Sequence, residues 1–263
     1  MIYHHPISLT FLHCVFLFVV ALIAGGMNSV AGAGNLLAFP VLIFIGIPPI
    51  SANATTTVGM WPGSMAGIGG YRGNMPHNAR LIAPLILASL AGGVFGAVLL
   101  LHTPAQAFMS MVPYLFLGAT ILFIYGSRFR NGKGKEEPST EPLSWPAIAA
   151  VAMVQFAIAT YGGFFGGGVG ILMLALLSVA RLRDIHAMNS VRVLLATVTK
   201  SLAFVTFILA QVVVWPVALL MVAGAAMGGY GGARLAQKVD PRIVQGFIVA
   251  VGVTMTIYFF LHH

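Results

Sequence analysis

Apolar residues are grouped along the chain in ten runs, set apart by Gly/Pro breaks or short polar stretches. Read as helices, the runs cover 9–24, 36–47, 54–70, 81–101, 108–125, 145–161, 169–180, 187–214, 215–233 and 243–261. Most approach or exceed the roughly 17–25 residues that a bilayer-spanning helix needs. Two do not. The runs 36–47 and 169–180 hold 12 residues each, about 18 Å of helix against a hydrocarbon core of about 30 Å. Each follows a glycine-rich break, Gly25-Gly26-Met27-Asn28 with Gly32-Ala33-Gly34-Asn35 in one case, and Gly162-Gly163 with Gly166-Gly167-Gly168 in the other. The N-terminal run lacks a small-x-small cleavage site, so the reading is a retained helix.

Composition narrows the class. Of 263 residues, 59% are hydrophobic and 7% charged, against about 25% charged in a soluble domain, and the mean hydropathy is +0.97. The expected fold class is therefore an all-α polytopic membrane protein. A formal charge of +8 in a soluble chain would suggest nucleic acid. Here the basic residues lie between apolar runs and do not interleave with aromatics on a polar segment, so no nucleic-acid partner is expected. The single cysteine, Cys14, has no internal disulfide partner.

The second half repeats the rhythm of the first. An offset of 135 pairs Ile23 with Ile158, Ala24 with Ala159, Gly32 with Gly167, Leu37 with Leu172, Leu42 with Leu177, Ala52 with Ala187 and Thr55 with Ser190. One residue later in register, Gly92-Gly93-x-x-Gly96-Ala97-x-Leu99 overlays Gly228-Gly229-x-x-Gly232-Ala233-x-Leu235. The predicted organisation is a first transmembrane repeat (1–126), a charged cytoplasmic linker (127–143) and a second transmembrane repeat (144–263).

Charge placement orients the halves. If the linker is cytoplasmic and all ten elements cross, eleven of the thirteen Lys/Arg lie inside: Arg72, Arg80, Arg128, Arg130, Lys133, Lys135, Arg181, Arg183, Arg234, Lys238 and Arg242. If the two short elements do not cross, the five at 181, 183, 234, 238 and 242 face outward, against the positive-inside bias. Ten crossings make five per half, so the repeat is inverted and both termini are extracytoplasmic. That is the plan of a multi-pass inner-membrane transporter.

Short, interrupted segments at matching positions of two halves are the best sequence pointer to a transporter's binding site. Amide N–H groups and positive helix ends at the glycine loops favour an anion, although glycines also permit close helix packing. Arg192 and Lys200 are the two formal charges inside a predicted span. Lys200 lies near mid-membrane and balances an anionic substrate, or else snorkels or is neutral; Arg192 lies close enough to the cytoplasmic edge to snorkel. Asn28, Asn35, Thr55, Thr56, Asn189 and Ser190 supply hydrogen-bond donors. The candidate substrate-binding set is Asn28, Gly32, Gly34, Asn35, Thr55, Thr56, Gly166, Gly167, Gly168, Asn189, Ser190, Arg192 and Lys200. Glu136, Glu137, Glu141, Asp184 and Asp240 all fall in predicted loops or at helix edges, which disfavours a proton relay or an acid-built Na⁺ site. Backbone carbonyls could still hold Na⁺, and the membrane potential alone can drive anions out of the cell.

Asn28-x-x-x-Gly32-x-Gly34, Pro40, Gly46 and Ala52-Asn53-Ala54-Thr55-Thr56, answered by Gly162-Gly163-x-x-Gly166-x-Gly168-x-Gly170 and Asn189-Ser190-Val191-Arg192, resemble the TauE/SafE family over about 12–258. The resemblance implies export of small sulfur-containing anions such as sulfite, sulfoacetate or related organosulfonates. Pro40 is answered in the second half by Ala175, which leaves the geometry of the second short helix open.

Other readings are weaker. Gly63-Ser64-Met65-Ala66-Gly67 is a loose serine-loop match with His77 and His102 nearby, and no enzyme is expected. His4, His5, His262 and His263 cluster at the termini without ligand spacing, so no metal site is expected, and no G-x-x-x-x-G-K-[ST] loop binds ATP. Nor is a cofactor expected. The partners expected are the lipid bilayer and a small anion, and the sequence does not give the oligomeric state. The alternatives are an anion channel of the same architecture and a non-transporting membrane subunit.

Overall fold

The structure is a computed structural model that describes residues 10–70, 76, 78–130, 143–180, 182, 184–235 and 241–262. These residues form ten helices: α1 (Phe11–Ala31), α2 (Gly34–Phe44), α3 (Pro49–Gly70), α4 (Ala79–His102), α5 (Ala105–Arg130), α6 (Trp145–Phe164), α7 (Val169–Val179), α8 (Ile185–Leu209), α9 (Trp215–Leu235) and α10 (Pro241–His262). No strand occurs among them. Six helices, α1, α4, α5, α6, α8 and α10, are long and apolar enough to cross a membrane. The glycine-rich α3 and α9, with 22 and 21 residues, are outside that set. The short helices α2 and α7 have 11 residues each, about 16 Å of rise.

The breaks fall later than the glycine pattern predicts. Gly25 to Asn28 are helical, and α1 runs on to Ala31. It stops at Gly32, whose φ of +71° suits glycine and whose N–H returns to the Asn28 carbonyl at 2.8 Å. In the second half Gly162 and Gly163 belong to α6, and the turn is made by Gly166 and Gly168 at φ of +77° and +76°. The early glycines serve packing instead. A Cβ on Gly25 would lie 2.6 Å from the Ala225 carbonyl oxygen of α9, and one on Gly92 would lie 2.5 Å from that of Phe156 on α6. Glycine therefore lets α1 lie on α9, and α4 on α6, backbone against backbone.

Those two contacts head a repeating set of neighbours. α3 packs on α9 as α8 packs on α4, α2 packs on α1 and α3 as α7 packs on α6 and α8, α5 pairs with α10, and α3 crosses α8. Hydroxyls on the crossing pair turn inward to their own helices: Thr56 to the Ala52 carbonyl, Thr57 to Asn53, Thr197 to Val193 and Thr199 to Leu195. This satisfies them where no water competes. Phe39, Phe108, Phe116, Phe165 and Phe259 form an aromatic core around α2, with centroids 5.5–6.4 Å apart. Leu81, Leu85, Ile148, Met173, Leu177 and Val191 form a second, aliphatic core around α7. The outside is apolar as well, with Leu87, Tyr114, Met153, Leu219, Ile243 and Ile257 exposed, as lipid contact requires.

Most of the charged residues used to orient the chain, including 131–142 and Arg72, Arg181, Arg183 and Lys238, lie outside the described residues. Helix α5 continues to Arg130, four positions into the predicted linker.

Candidate functional site

α8 places two cations inside the bundle. Its N-terminus is fixed by Asp184, whose carboxylate accepts from the N–H groups of His186 and Ala187 at 3.1 Å. Lys200 then falls 15 residues after Ile185, about 22 Å along a helix of 25 residues. It is 3% exposed, and its Nζ donates to Asn28 Oδ1 at 3.2 Å. The Asn28 amide passes the contact on, with Nδ2 donating to Ser64 Oγ of α3 at 2.8 Å. One neutral amide thus joins α1, α3 and α8.

Arg192 is 1% exposed, so the edge position expected from sequence is not a snorkelling one. Its Nη2 donates to the Ser29 carbonyl at 2.7 Å and reaches the Val30 carbonyl at 3.4 Å. These are carbonyls of the last turn of α1, which the break leaves without helical partners. Two glycines make room for the guanidinium. A Cβ on Gly170 would lie 2.9 Å from Nη1 and 3.0 Å from the Gly32 Cα, and one on Gly32 would lie 2.8 Å from the Gly170 Cα. The end of α1 and the start of α7 therefore meet at Gly32 and Gly170, with Arg192 beside them. Asn28, Ser29, Ser64, Arg192, Val193 and Ala196 line a cavity of about 10 Å³ here, no more than the room for one water.

A second group of polar residues surrounds the α6–α7 break. Asn35, in the first turn of α2, donates from Nδ2 to the Phe165 carbonyl at 3.0 Å, and Asn53, near the start of α3, to the Phe164 carbonyl at 2.9 Å. Tyr161 OH donates to the Gly167 carbonyl at 2.6 Å. Gly166 faces the Asn35 amide, where a Cβ would come within 2.8 Å of Nδ2, and Gly168 lies against Ala119 of α5. Gly34 opens α2 under Asn28 and Met60; its Cβ would come within 2.9 Å of the Asn28 Cβ.

Of the thirteen residues predicted from sequence, Asn28, Gly32, Gly34, Arg192 and Lys200 come together around the α1 break, and Asn35, Gly166 and Gly167 around the α6–α7 break. Gly168 caps α7 and points elsewhere. Thr55 Oγ1 accepts from the Val214 N–H at 2.9 Å, tying α3 to the α8–α9 connection. Thr56 bonds its own helix. Ser190 Oγ donates to the His186 carbonyl, and Asn189 is half-buried on α8 beside it. Sequence reasoning missed Ser64 and Asn53 as site residues. The 136-residue offset that aligns Gly92-Gly93 with Gly228-Gly229 also aligns Ser64 with Lys200, and the two grip opposite ends of the Asn28 amide.

Among the described residues no Asp or Glu is buried, whereas Arg192 and Lys200 are. The described interior thus holds two basic side chains and no acid, and basic groups inside a membrane-protein interior are candidates for a charged solute's path. Short helices that follow glycine breaks, with basic side chains beside them, are an arrangement that secondary transporters use. The chain belongs to the TauE/SafE family, whose description, sulfite exporter TauE/SafE, matches residues 17–259. It is 28% identical over 251 residues to the probable membrane transporter protein ORF9 of Sinorhizobium sp, covering 95% of this chain and 93% of that protein. A probable membrane transporter protein of Haemophilus influenzae is 26% identical over 242 residues, covering 91% of each chain. YfcA of Escherichia coli K12, also a probable membrane transporter protein, is 27% identical over 248 residues, covering 91% of this chain and 87% of YfcA. No solved structure matches. The protein is a membrane transporter of this family and not an enzyme.

Proposed function

We propose that this transporter exports small sulfur-containing anions, such as sulfite, sulfoacetate or related organosulfonates, by alternating access at a mid-membrane site. The observation that carries the reading is the burial of both Lys200 and Arg192 on α8, against neighbouring residues of α1, with no described acidic residue buried. A compact oxyanion suits the donors gathered there: the Lys200 ammonium, the guanidinium beside Gly32 and the Asn28 amide once it leaves Ser64, whose own hydroxyl donates to the Met60 carbonyl at 3.3 Å. The family description names sulfite, and it motivates the choice among oxyanions.

In this reading the helices form a 5+5 inverted repeat with ten crossings, the linker cytoplasmic and both termini extracytoplasmic. The mirrored neighbour sets of α1–α5 and α6–α10 support the duplication, as does the equivalence of Gly93 on Thr199 with Gly229 on Gly63, each pair related by 136 residues. The cavity at Asn28 and Arg192, about 10 Å³, favours a transporter over an open anion channel, because an anion enters only if α1, α3 and α8 shift.

The test is uptake of radiolabelled sulfite into proteoliposomes, with Lys200→Ala and empty liposomes alongside. Saturable flux that falls at least about tenfold in the variant, the loss of roughly 1.4 kcal/mol of interaction, supports the reading. Flux equal to that of empty liposomes removes sulfite as substrate, and wild-type flux in Lys200→Ala removes the lysine from the site.

A further inference from the structure

Asn35 and Asn53 hold a feature that anion binding does not use. Both are 1% exposed, and their Nδ2 groups are committed to the carbonyls of Phe165 and Phe164, the C-terminal end of α6. Their Oδ1 atoms are buried and have no hydrogen-bond partner. A buried acceptor without a donor is costly, and here the two amides that carry such acceptors are held by the carbonyls of adjoining residues, Phe164 and Phe165. Turning either amide over gives no relief, because it would set Oδ1 against a carbonyl oxygen. The nearby hydroxyl donors are spent: Tyr161 on Gly167, Thr56 on Ala52 and Thr57 on Asn53 itself. Two such oxygens take a hydrogen-bond donor or a cation, and the negative C-terminal end of α6 offsets the positive N-terminal end of α2, where Asn35 sits. In broken-helix transporters, helix C-termini and unwound carbonyls are where such ions sit. The oxygens are neutral and no described acid is buried nearby, so the charge that suits them is single.

We propose that Asn35 Oδ1 and Asn53 Oδ1, at the C-terminal end of α6, bind a small monovalent cation of the Na⁺ type. The ion clamps α2 and α3 to the α6–α7 break. Arg192 stands beside Gly32, three residues before Asn35, and repels the ion until an anion screens it. Anion and cation then raise each other's affinity by the same factor; only this coupling rests on the reading of the anion site.

The experiment uses the full-length protein in detergent, without sulfite, and follows its Tm as NaCl replaces choline chloride at constant ionic strength. A saturable rise in Tm with Na⁺ in the millimolar range is the expected result; identical Tm values in Na⁺ and choline overturn the proposal. Asn53→Ala should raise the half-saturating Na⁺ concentration at least about tenfold, whereas Gln155→Leu, which removes an unpartnered buried oxygen elsewhere, should leave it within about twofold. An unchanged response in Asn53→Ala also overturns the proposal. The wild-type comparison is decisive even if a variant does not fold, and because no sulfite is present, failure of sulfite transport and failure of Na⁺ binding are seen separately.

Discussion

Lys200 and Arg192 are both buried cations, but their partners differ in kind. Arg192 donates to main-chain carbonyls at the end of α1, a capping arrangement whose removal leaves acceptors unsatisfied at a helix terminus. Lys200 donates to a side-chain amide, and a neutral partner is readily exchanged for an anion. The two substitutions should therefore separate. Arg192→Ala is expected to lower Tm by several degrees and to reduce the yield of folded protein. Lys200→Ala should leave Tm within a few degrees of wild type while flux falls, and thermal unfolding beside proteoliposome flux checks both. Gly170 belongs with Arg192. An added Cβ would lie 2.7 Å from the Ala31 carbonyl oxygen and 2.9 Å from Arg192 Nη1, and overpacking of this kind costs about 1–3 kcal/mol. At roughly 2–4 °C per kcal/mol for a chain of this size, Gly170→Ala should lose several degrees of Tm. An unchanged Tm would mean that the two breaks do not bear on each other.

The helices themselves were legible because lipid and core both demand apolar residues, so every run of low polarity became a helix. Their ends were less so. Gly25-Gly26 and Gly162-Gly163 read as breaks, yet all four are helical, and at Gly25 and Gly163 the glycine is there because carbonyls of α9 and α4 leave no room for a Cβ; a glycine that packs and a glycine that turns look alike until a neighbour is in place. Arg192 was read as an edge residue for a related reason, since its partners are backbone carbonyls and carry no sequence signature. Lys200 and Asn28 were both legible, but Ser64 stood out only within the loose serine-loop match Gly63-Ser64-Met65-Ala66-Gly67, which says nothing of an amide partner on another helix. This division of roles is testable at the helix interfaces. A Cβ on Gly93 would strike the Thr199 carbonyl, and one on Gly229 the Gly63 carbonyl, whereas Gly118 in α5 has nothing within 4 Å. Gly93→Ala and Gly229→Ala should lower Tm by similar amounts, of several degrees. Gly118→Ala should hold or raise it, since Ala is favoured over Gly within a helix by about 1 kcal/mol. Unequal losses in the first two would mean that the α4–α8 and α9–α3 contacts are not equivalent.

At the scale of the whole molecule, orientation depends on whether α2 and α7 carry the chain across the membrane or return it. Each is too short to span alone, so the answer lies in which side the following loops occupy. Ala105 is exposed at the start of α5, and the 135-residue offset makes Asp240, between α9 and α10, its counterpart. With ten crossings and a cytoplasmic linker, 105 is outside and 240 inside; with re-entrant α2 and α7, both lie outside. Positive charge favours the first arrangement, because Lys238 and Arg242 flank 240 while the loop before Ala105, His102-Thr103-Pro104, has neither Lys nor Arg. The chain has one cysteine, Cys14, in α1, so Cys14→Ser gives a background for single-cysteine scanning. In intact cells a membrane-impermeant maleimide should label Ala105→Cys and spare Asp240→Cys and Lys133→Cys, and permeabilisation should expose the latter two. Labelling of both 105 and 240 in intact cells would make α2 and α7 re-entrant, remove the inversion, and turn the two short helices into hairpins entering from the same face.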